Sequence, residues 1–264
     1  QNARKPASAM RYKILKLLAN LIFWPSTLVF FTFWLSLCAI VWLIALPFDY
    51  ERRAFRVTLH TWCWLYMKLC PFWRYTIEGR ENLPQGACVY VANHQSLMDI
   101  SVLLGLNRRF KWVAKKELFS RPFVGWLLFF GRDIKLDRAS LRDASRMIAS
   151  CLHWLQRGVG IMIFPEGHRS STVGRFKRGA FQVAQEAQVP IVPIAVSGPA
   201  QAIKGYFVEP NRTPIRIQIL SPIFPEQLQN QPLDDVAREV EEQIRSVHKE
   251  NHPELYTTSK DTTP

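Results

Sequence analysis

Two short polar islands interrupt apolar stretches of this chain, Asn93-His94-Gln95-Ser96-Leu97-Met98-Asp99 and Phe164-Pro165-Glu166-Gly167-His168-Arg169-Ser170. His94 can take a proton from an alcohol, and Asp99, five residues on, can fix its tautomer and support the imidazolium. Arg169 carries a planar fork suited to bidentate contact with a phosphate, which lysine cannot reproduce. Glu166 can orient that arginine or bind an acceptor hydroxyl, and Gly167 permits a tight turn or positive φ. Each island alone has a plainer reading: a structural loop histidine in the first, an exposed Glu–Arg pair on a surface turn in the second. Both follow a strand-like apolar run, and that coincidence favours one shared site.

The elements that must position them alternate. Strand-like runs are Tyr75–Glu78, Cys88–Ala92, Lys111–Ala114, Ile134–Leu136, Gly160–Phe164, Ile191–Val196 and Ile215–Leu220. Helical spacing appears in Ala139–Arg157, through Leu141, Ala144, Ile148, Leu152 and Leu155, and again in Lys177–Ala187. Leu233, Val236, Val240, Ile244 and Val247 mark a last amphipathic helix with Asp234 and Asp235 in its first turn. This order predicts an α/β fold with a mixed, largely parallel sheet covered by helices. His94 then emerges at the C-terminal end of a strand, where open α/β sheets place ligands. Ser96 is placed to cap a helix starting near Leu97, with Asp99 in its first turn.

From Leu17 to Phe48 no residue is charged, a run longer than the ~20 residues that cross a bilayer core. It is also longer than the apolar region of a signal peptide, about 7–15 residues. The expected division is a basic segment at 1–16, a membrane anchor at 17–48, an interfacial helix at 49–73, an α/β domain at 74–250 and a loose tail at 251–264. The anchor is a single span or a re-entrant pair broken at Pro25. The second reading is favoured because basic residues flank both ends (Arg4, Lys5, Arg11, Lys13, Lys16; Arg52, Arg53, Arg56) and would meet one anionic leaflet. For residues 52–73 a core helix of the soluble domain stands as an even alternative.

The net charge of +13 calls for an anionic partner, and the apolar run selects a membrane phospholipid bilayer over nucleic acid. The 5 cysteines, Cys38, Cys63, Cys70, Cys88 and Cys151, are odd in number and scattered, which fits a reduced, cytoplasm-facing domain. No G-x-S-x-G elbow, P-loop or G-x-G-x-x-G fingerprint occurs, and no metal-ligand spacing recurs. Lys135 and Arg178 read as solvated charges.

The islands, with Ala114-Lys115-Lys116-Glu117-Leu118, Leu136-Asp137-Arg138 and Val189-Pro190-Ile191-Val192-Pro193-Ile194 in this order, resemble the glycerolipid acyltransferase family with its HX4D motif, specifically the 1-acyl-sn-glycerol-3-phosphate acyltransferases. The resemblance covers Tyr75 to Leu220. It implies His94 and Asp99 as the catalytic pair and Glu166, Gly167, Arg169, Arg138 and Lys115 as substrate-binding residues. It implies acyl transfer to the sn-2 hydroxyl of lysophosphatidic acid, giving phosphatidic acid, from acyl-CoA or acyl carrier protein as co-substrate, without cofactor or metal. The competing readings are an acyltransferase for a different lyso-lipid and a non-catalytic membrane lipid-binding protein; the intact His94–Asp99 pair argues against the latter. The implied setting is membrane-anchored (the inner membrane in a bacterial cell), with the catalytic domain facing the cytoplasm. The sequence departs at His168, where the family commonly carries threonine.

Overall fold

The computed structural model describes residues 6–137 and 140–257. Helix α1 (Pro6–Ala45) and α2 (Arg53–Leu69) precede an alternating domain. Its strands are β1 (Trp73–Glu78), β2 (Val89–Ala92), β3 (Phe110–Lys115), β4 (Ile134–Leu136), β5 (Gly160–Ile163), β6 (Ile191–Ser197) and, after the hairpin β7 (Ile203–Lys204) and β8 (Phe207–Val208), β9 (Thr213–Ile219). The helices between and after them are α3 (Met98–Leu104), α4 (Val124–Phe130), α5 (Leu141–Gln156), α6 (Gly179–Ala187), α7 (Pro199–Ala202), α8 (Pro225–Gln229), α9 (Leu233–Asn251) and α10 (Glu254–Thr257).

The main sheet has the order β1-β9-β6-β2-β5-β3-β4, and its β6–β9 pairing is antiparallel while the others are parallel. This is the mixed, largely parallel sheet that the alternation predicts. The strand β2 shows why both faces are covered. Val89 and Val91 enter one apolar layer with α5, α6 and α9, whereas Tyr90 and Ala92 enter the other with α2 and α3. Every β2 residue is buried, as a parallel central strand requires.

Three expectations about the N-terminus change. First, α1 is one continuous helix through Pro25, so neither a re-entrant pair nor a boundary at Leu17 forms. A proline removes one backbone donor, and the remaining bonds of a long apolar helix carry it through. Second, the helix over Arg53–Leu69 is the core helix of the two alternatives, in place of an interfacial helix at 49–73. The α2 residues Phe55, Leu59, Trp62, Cys63 and Met67 are buried between α1 and the sheet layer. Third, Arg52 and Arg56 are buried and do not meet head groups. Arg56 pairs with Asp133 and donates to the Gly131 carbonyl at 2.9 Å.

One face of α1 is docked on the domain along its length. Phe31 stands edge-on to Trp62 with ring centres 4.5 Å apart, and Trp42 lies 4.5 Å from Phe130 of α4. Nearer the N-terminus the contacts are polar and recur every four residues. Tyr12 and Lys16 bond Glu209, Asn20 exchanges two hydrogen bonds with the Val208 backbone (3.1 and 2.9 Å), and Trp24 donates to the Tyr206 carbonyl at 2.9 Å. The opposite face, including Leu17, Leu21, Leu28, Phe33 and Leu43, is exposed.

The C-terminal tail is partly fixed. His252 is buried, and the Tyr256 hydroxyl meets His248 Nδ1 at 2.9 Å and accepts from the Val173 amide at 3.2 Å. Residues 258–264 of the expected loose tail lie outside the described residues.

Candidate active site

The strands β2 and β5 are parallel neighbours, with Val91 opposite Ile163. The chain segments leaving them are therefore released side by side at the C-terminal ends of these strands, and these segments are the two islands. Asn93 fixes the exit of the first. It is fully buried, and its amide donates to the Val196 carbonyl at 2.9 Å while accepting from the Val196 amide at 2.8 Å. A loop then leads into α3, whose first backbone amide, Met98 N, donates to Ser96 Oγ at 3.2 Å.

In the first turn of α3, Asp99 folds back on this loop. Its Oδ2 lies 2.9 Å from His94 Nδ1 and accepts from the backbone amides of Gln95 (2.6 Å) and Ser96 (2.8 Å). The side chain of Asp99 is 1% exposed and that of His94 is 15% exposed. A carboxylate on Nδ1 selects the tautomer with a proton there, which leaves Nε2 as the free base. The imidazole plane is set by stacking on Phe164, with ring centres 4.0 Å apart and planes 12° from parallel. Phe164 stacks in turn on Trp112 at 5.4 Å.

The second island begins with a tight turn. The Gly167 amide donates to the Phe164 carbonyl at 3.2 Å, and Gly167 takes φ of 80°, the left-handed region that glycine enters freely. Arg169 follows and is exposed, as is His168. The next amide, Ser170, donates to the His94 carbonyl at 3.0 Å, which ties Arg169 to the neighbourhood of His94.

Glu166 is placed differently from the sequence expectation. It is 1% exposed, its Oε1 accepts from the His94 amide at 2.9 Å, and its Oε2 accepts from the Gly174 amide at 2.8 Å. Burial pushes its carboxyl above the usual carboxylate range, and the two amides oppose that shift. It neither orients Arg169 nor faces an open acceptor space. Lys115 ends β3 at the same, C-terminal end of the parallel strands; its side chain is half-exposed and its ammonium lies 3.4 Å from Glu117. Arg138 lies outside the described residues. The sequence reading missed Phe164 as the platform for the imidazole and Gly174 as the second partner of Glu166. The aromatic at the head of the second island was the one visible signal. All five cysteines are free, and four are buried.

A family profile described as acyltransferase matches residues 74–197, the stretch that carries both islands. The 1-acyl-sn-glycerol-3-phosphate acyltransferase of Pseudomonas aeruginosa is 35% identical over 184 residues, covering 63% of this chain and 69% of that protein. The chloroplastic enzyme of that name from Brassica napus is 35% identical over 68% of this chain and 53% of its own length. The chain thus spans about half the length of such plant relatives (53% and 48% for two of them). In three dimensions it is similar to the crystal structure of the 1-acyl-sn-glycerophosphate acyltransferase PlsC from Thermotoga maritima, with a TM-score of 0.71 and 28% identity over 90% of this chain and 97% of that one. The paired islands, the sheet that sets them side by side and these likenesses lead to one conclusion: the chain belongs to the glycerolipid acyltransferase family.

Proposed function

We propose that this chain transfers a fatty acyl group from a thioester, carried on coenzyme A or acyl carrier protein, to the sn-2 hydroxyl of lysophosphatidic acid, giving phosphatidic acid. The observation that carries the reading is the buried Asp99 carboxylate on His94 Nδ1 beside an exposed Arg169 at the same end of the parallel strands. His94 Nε2 takes the hydroxyl proton as the alcohol oxygen bonds to the thioester carbonyl carbon. The tetrahedral intermediate collapses with cleavage of the C–S bond, and the imidazolium returns the proton to the departing sulfur. Asp99 supports the imidazolium between these two transfers. Arg169 grips the acceptor phosphomonoester with its fork. No acyl-enzyme is needed, which agrees with cysteines that are mostly buried and whose thiols burial pushes up.

The membrane is reached through α1. Its 40 residues make a rod of about 60 Å, twice the ~30 Å hydrocarbon core. A helix held to the domain from Tyr12 to Trp42 stands along the membrane with its exposed apolar face in one leaflet. In that arrangement the Lys16, Asn20 and Glu209 contacts stay outside hydrocarbon. The exposed Trp126 and Phe129 of α4, next to Trp42, extend the same apolar surface. The catalytic end of the strands then works on a lipid still seated in that leaflet, on the cytoplasmic side.

The test is an assay of purified protein with a panel of lyso-lipid acceptors against both thioester donors, with His94→Ala as the control. Lysophosphatidic acid should give the highest kcat/KM, and His94→Ala should lose about 10²–10⁴-fold. A preference for another lyso-lipid would reassign the acceptor, and a near-normal His94→Ala would end the mechanism.

A further inference from the structure

We propose that Glu166 is a positioning residue that holds His94, as part of a bracket by which the second island fixes the base, and that it does not contact the acceptor. The proposal rests on the reading of His94 as the general base.

The loop between β2 and α3 presents three consecutive backbone amides, of His94, Gln95 and Ser96, and two carboxylates divide them. Asp99 takes those of Gln95 and Ser96 together with the ring nitrogen, and Glu166 takes that of His94. The second island and Ser171, the residue after it, hold His94 at three further places on or beside it. The Ser170 amide donates to the His94 carbonyl at 3.0 Å, the Phe164 ring lies against the imidazole face, and Gln95 Nε2 donates to the Ser171 carbonyl at 2.6 Å. The backbone of His94 is therefore gripped at both its N–H and its C=O by the neighbouring strand's loop. Its ring is gripped at Nδ1 and on one face, which leaves Nε2 for chemistry.

Glu166 is the link in this bracket that reaches furthest. Its second oxygen takes the Gly174 amide, so one carboxylate joins the exit loop of β2 to the segment leading into α6. With 1% of its surface exposed and a backbone donor on each oxygen, it offers an acceptor hydroxyl no approach. A buried amide left without its acceptor is costly, so loss of the carboxylate should move the loop that carries the base. Displacements of about 1 Å at such a group cost on the order of 100-fold in rate.

Two variants test this without touching the phosphate grip. Glu166→Gln keeps the shape but replaces one acceptor oxygen with a donor, so one of the two amides meets a like group. Gly174→Ala keeps the Glu166 side chain but sets a Cβ 2.8 Å from its Oε2, closer than a Cβ approaches a neighbouring heavy atom, and must shift the carboxylate. Full-length enzyme would be assayed with lysophosphatidic acid and acyl-CoA varied separately, beside His94→Ala, with thermal melts to show that each variant is folded. Expected is a fall in kcat of about 10- to 100-fold in both variants, with both KM values within about twofold of wild type. A rise in the acceptor KM at unchanged kcat would return Glu166 to the acceptor site and overturn the proposal. Wild-type kcat in both variants would overturn it as well. If Glu166→Gln does not fold, Gly174→Ala decides alone by the same criteria. An active His94→Ala would sink the base reading itself, whereas an inactive one beside fully active Glu166 and Gly174 variants would sink only the bracket.

Discussion

Asp99→Asn isolates the charge of the dyad from its geometry. In the wild type, Oδ2 receives three donors (His94 Nδ1, Gln95 N and Ser96 N) while Oδ1 has no hydrogen-bond partner among the described residues. An asparagine at this place should therefore turn its oxygen to the three donors and its NH₂ to the vacant side. The tautomer of His94 and the loop geometry are then preserved, and what disappears is the negative charge facing the imidazolium. Two unit charges about 4 Å apart interact by about 4 kcal/mol at an effective dielectric of 20. Since each 1.36 kcal/mol is tenfold, kcat should fall by about 10³-fold. The buried, unpartnered NH₂ should cost about 1–3 kcal/mol of stability, a modest drop in Tm. The assay is steady-state turnover with lysophosphatidic acid and acyl-CoA at saturating acceptor, beside a thermal melt. A folded Asp99→Asn protein within tenfold of wild-type kcat would show that imidazolium support is not what Asp99 supplies.

Further outcomes follow from other parts of the structure. Arg169→Lys keeps the charge but loses the fork, so the KM for lysophosphatidic acid should rise while the thioester KM stays; monoacylglycerol, without phosphate, should be a poor acceptor and indifferent to the change. A raised thioester KM alone would place Arg169 at the donor. Asn20→Leu removes both bonds to the buried Val208 backbone and should lower stability by about 1–3 kcal/mol, although it makes α1 more apolar; an unchanged Tm would mean that α1 does not dock along the domain. Full-length protein should stay with membranes after carbonate washing, and removal of residues 1–45 should yield aggregates, because the α2 face carrying Trp62 and Tyr66 loses its cover. Burial pushes the imidazoles of His60 down to about 3 and of His248 down to about 4, from an ordinary 6.5. Between about pH 6.5 and 4 the unfolded chain takes up both protons and the folded chain takes up neither. Stability is then full above pH 6.5 and falls with acid, by about 2 kcal/mol for each histidine at pH 5. Tm measured from pH 7.5 to 5 checks this, and His248→Gln should remove about half of the loss.

The sequence by itself determined the parts of this protein that repeat a local pattern or place a chemical group. Runs of strand length predicted all seven strands of the main sheet: β2, β5 and β6 are apolar throughout because a central strand is buried on both faces, whereas β1 and β9 alternate buried and exposed residues. The spacing of His94 and Asp99 across a strand-to-helix turn was enough to bring the carboxylate onto the imidazole, since both ends of that contact lie in one short loop. An uncharged run of this length gives α1 the length and apolarity to cross a membrane, by composition alone.

Other features needed the tertiary structure. The pairing of β2 with β5, which sets the islands side by side, joins segments far apart in sequence, and apolar strands carry no mark of their neighbour. Glu166 bonds backbone amides, one of them 72 residues away, and an amide leaves no trace in residue type; the glutamate therefore looked like a ligand for substrate. Arg56 looked like a head-group contact until Asp133, 77 residues on, claimed it. Tyr256 looked like part of a loose tail, and His248 and the Val173 amide hold it. A polar side chain announces that it needs a partner, but which partner it finds is settled by how distant segments pack.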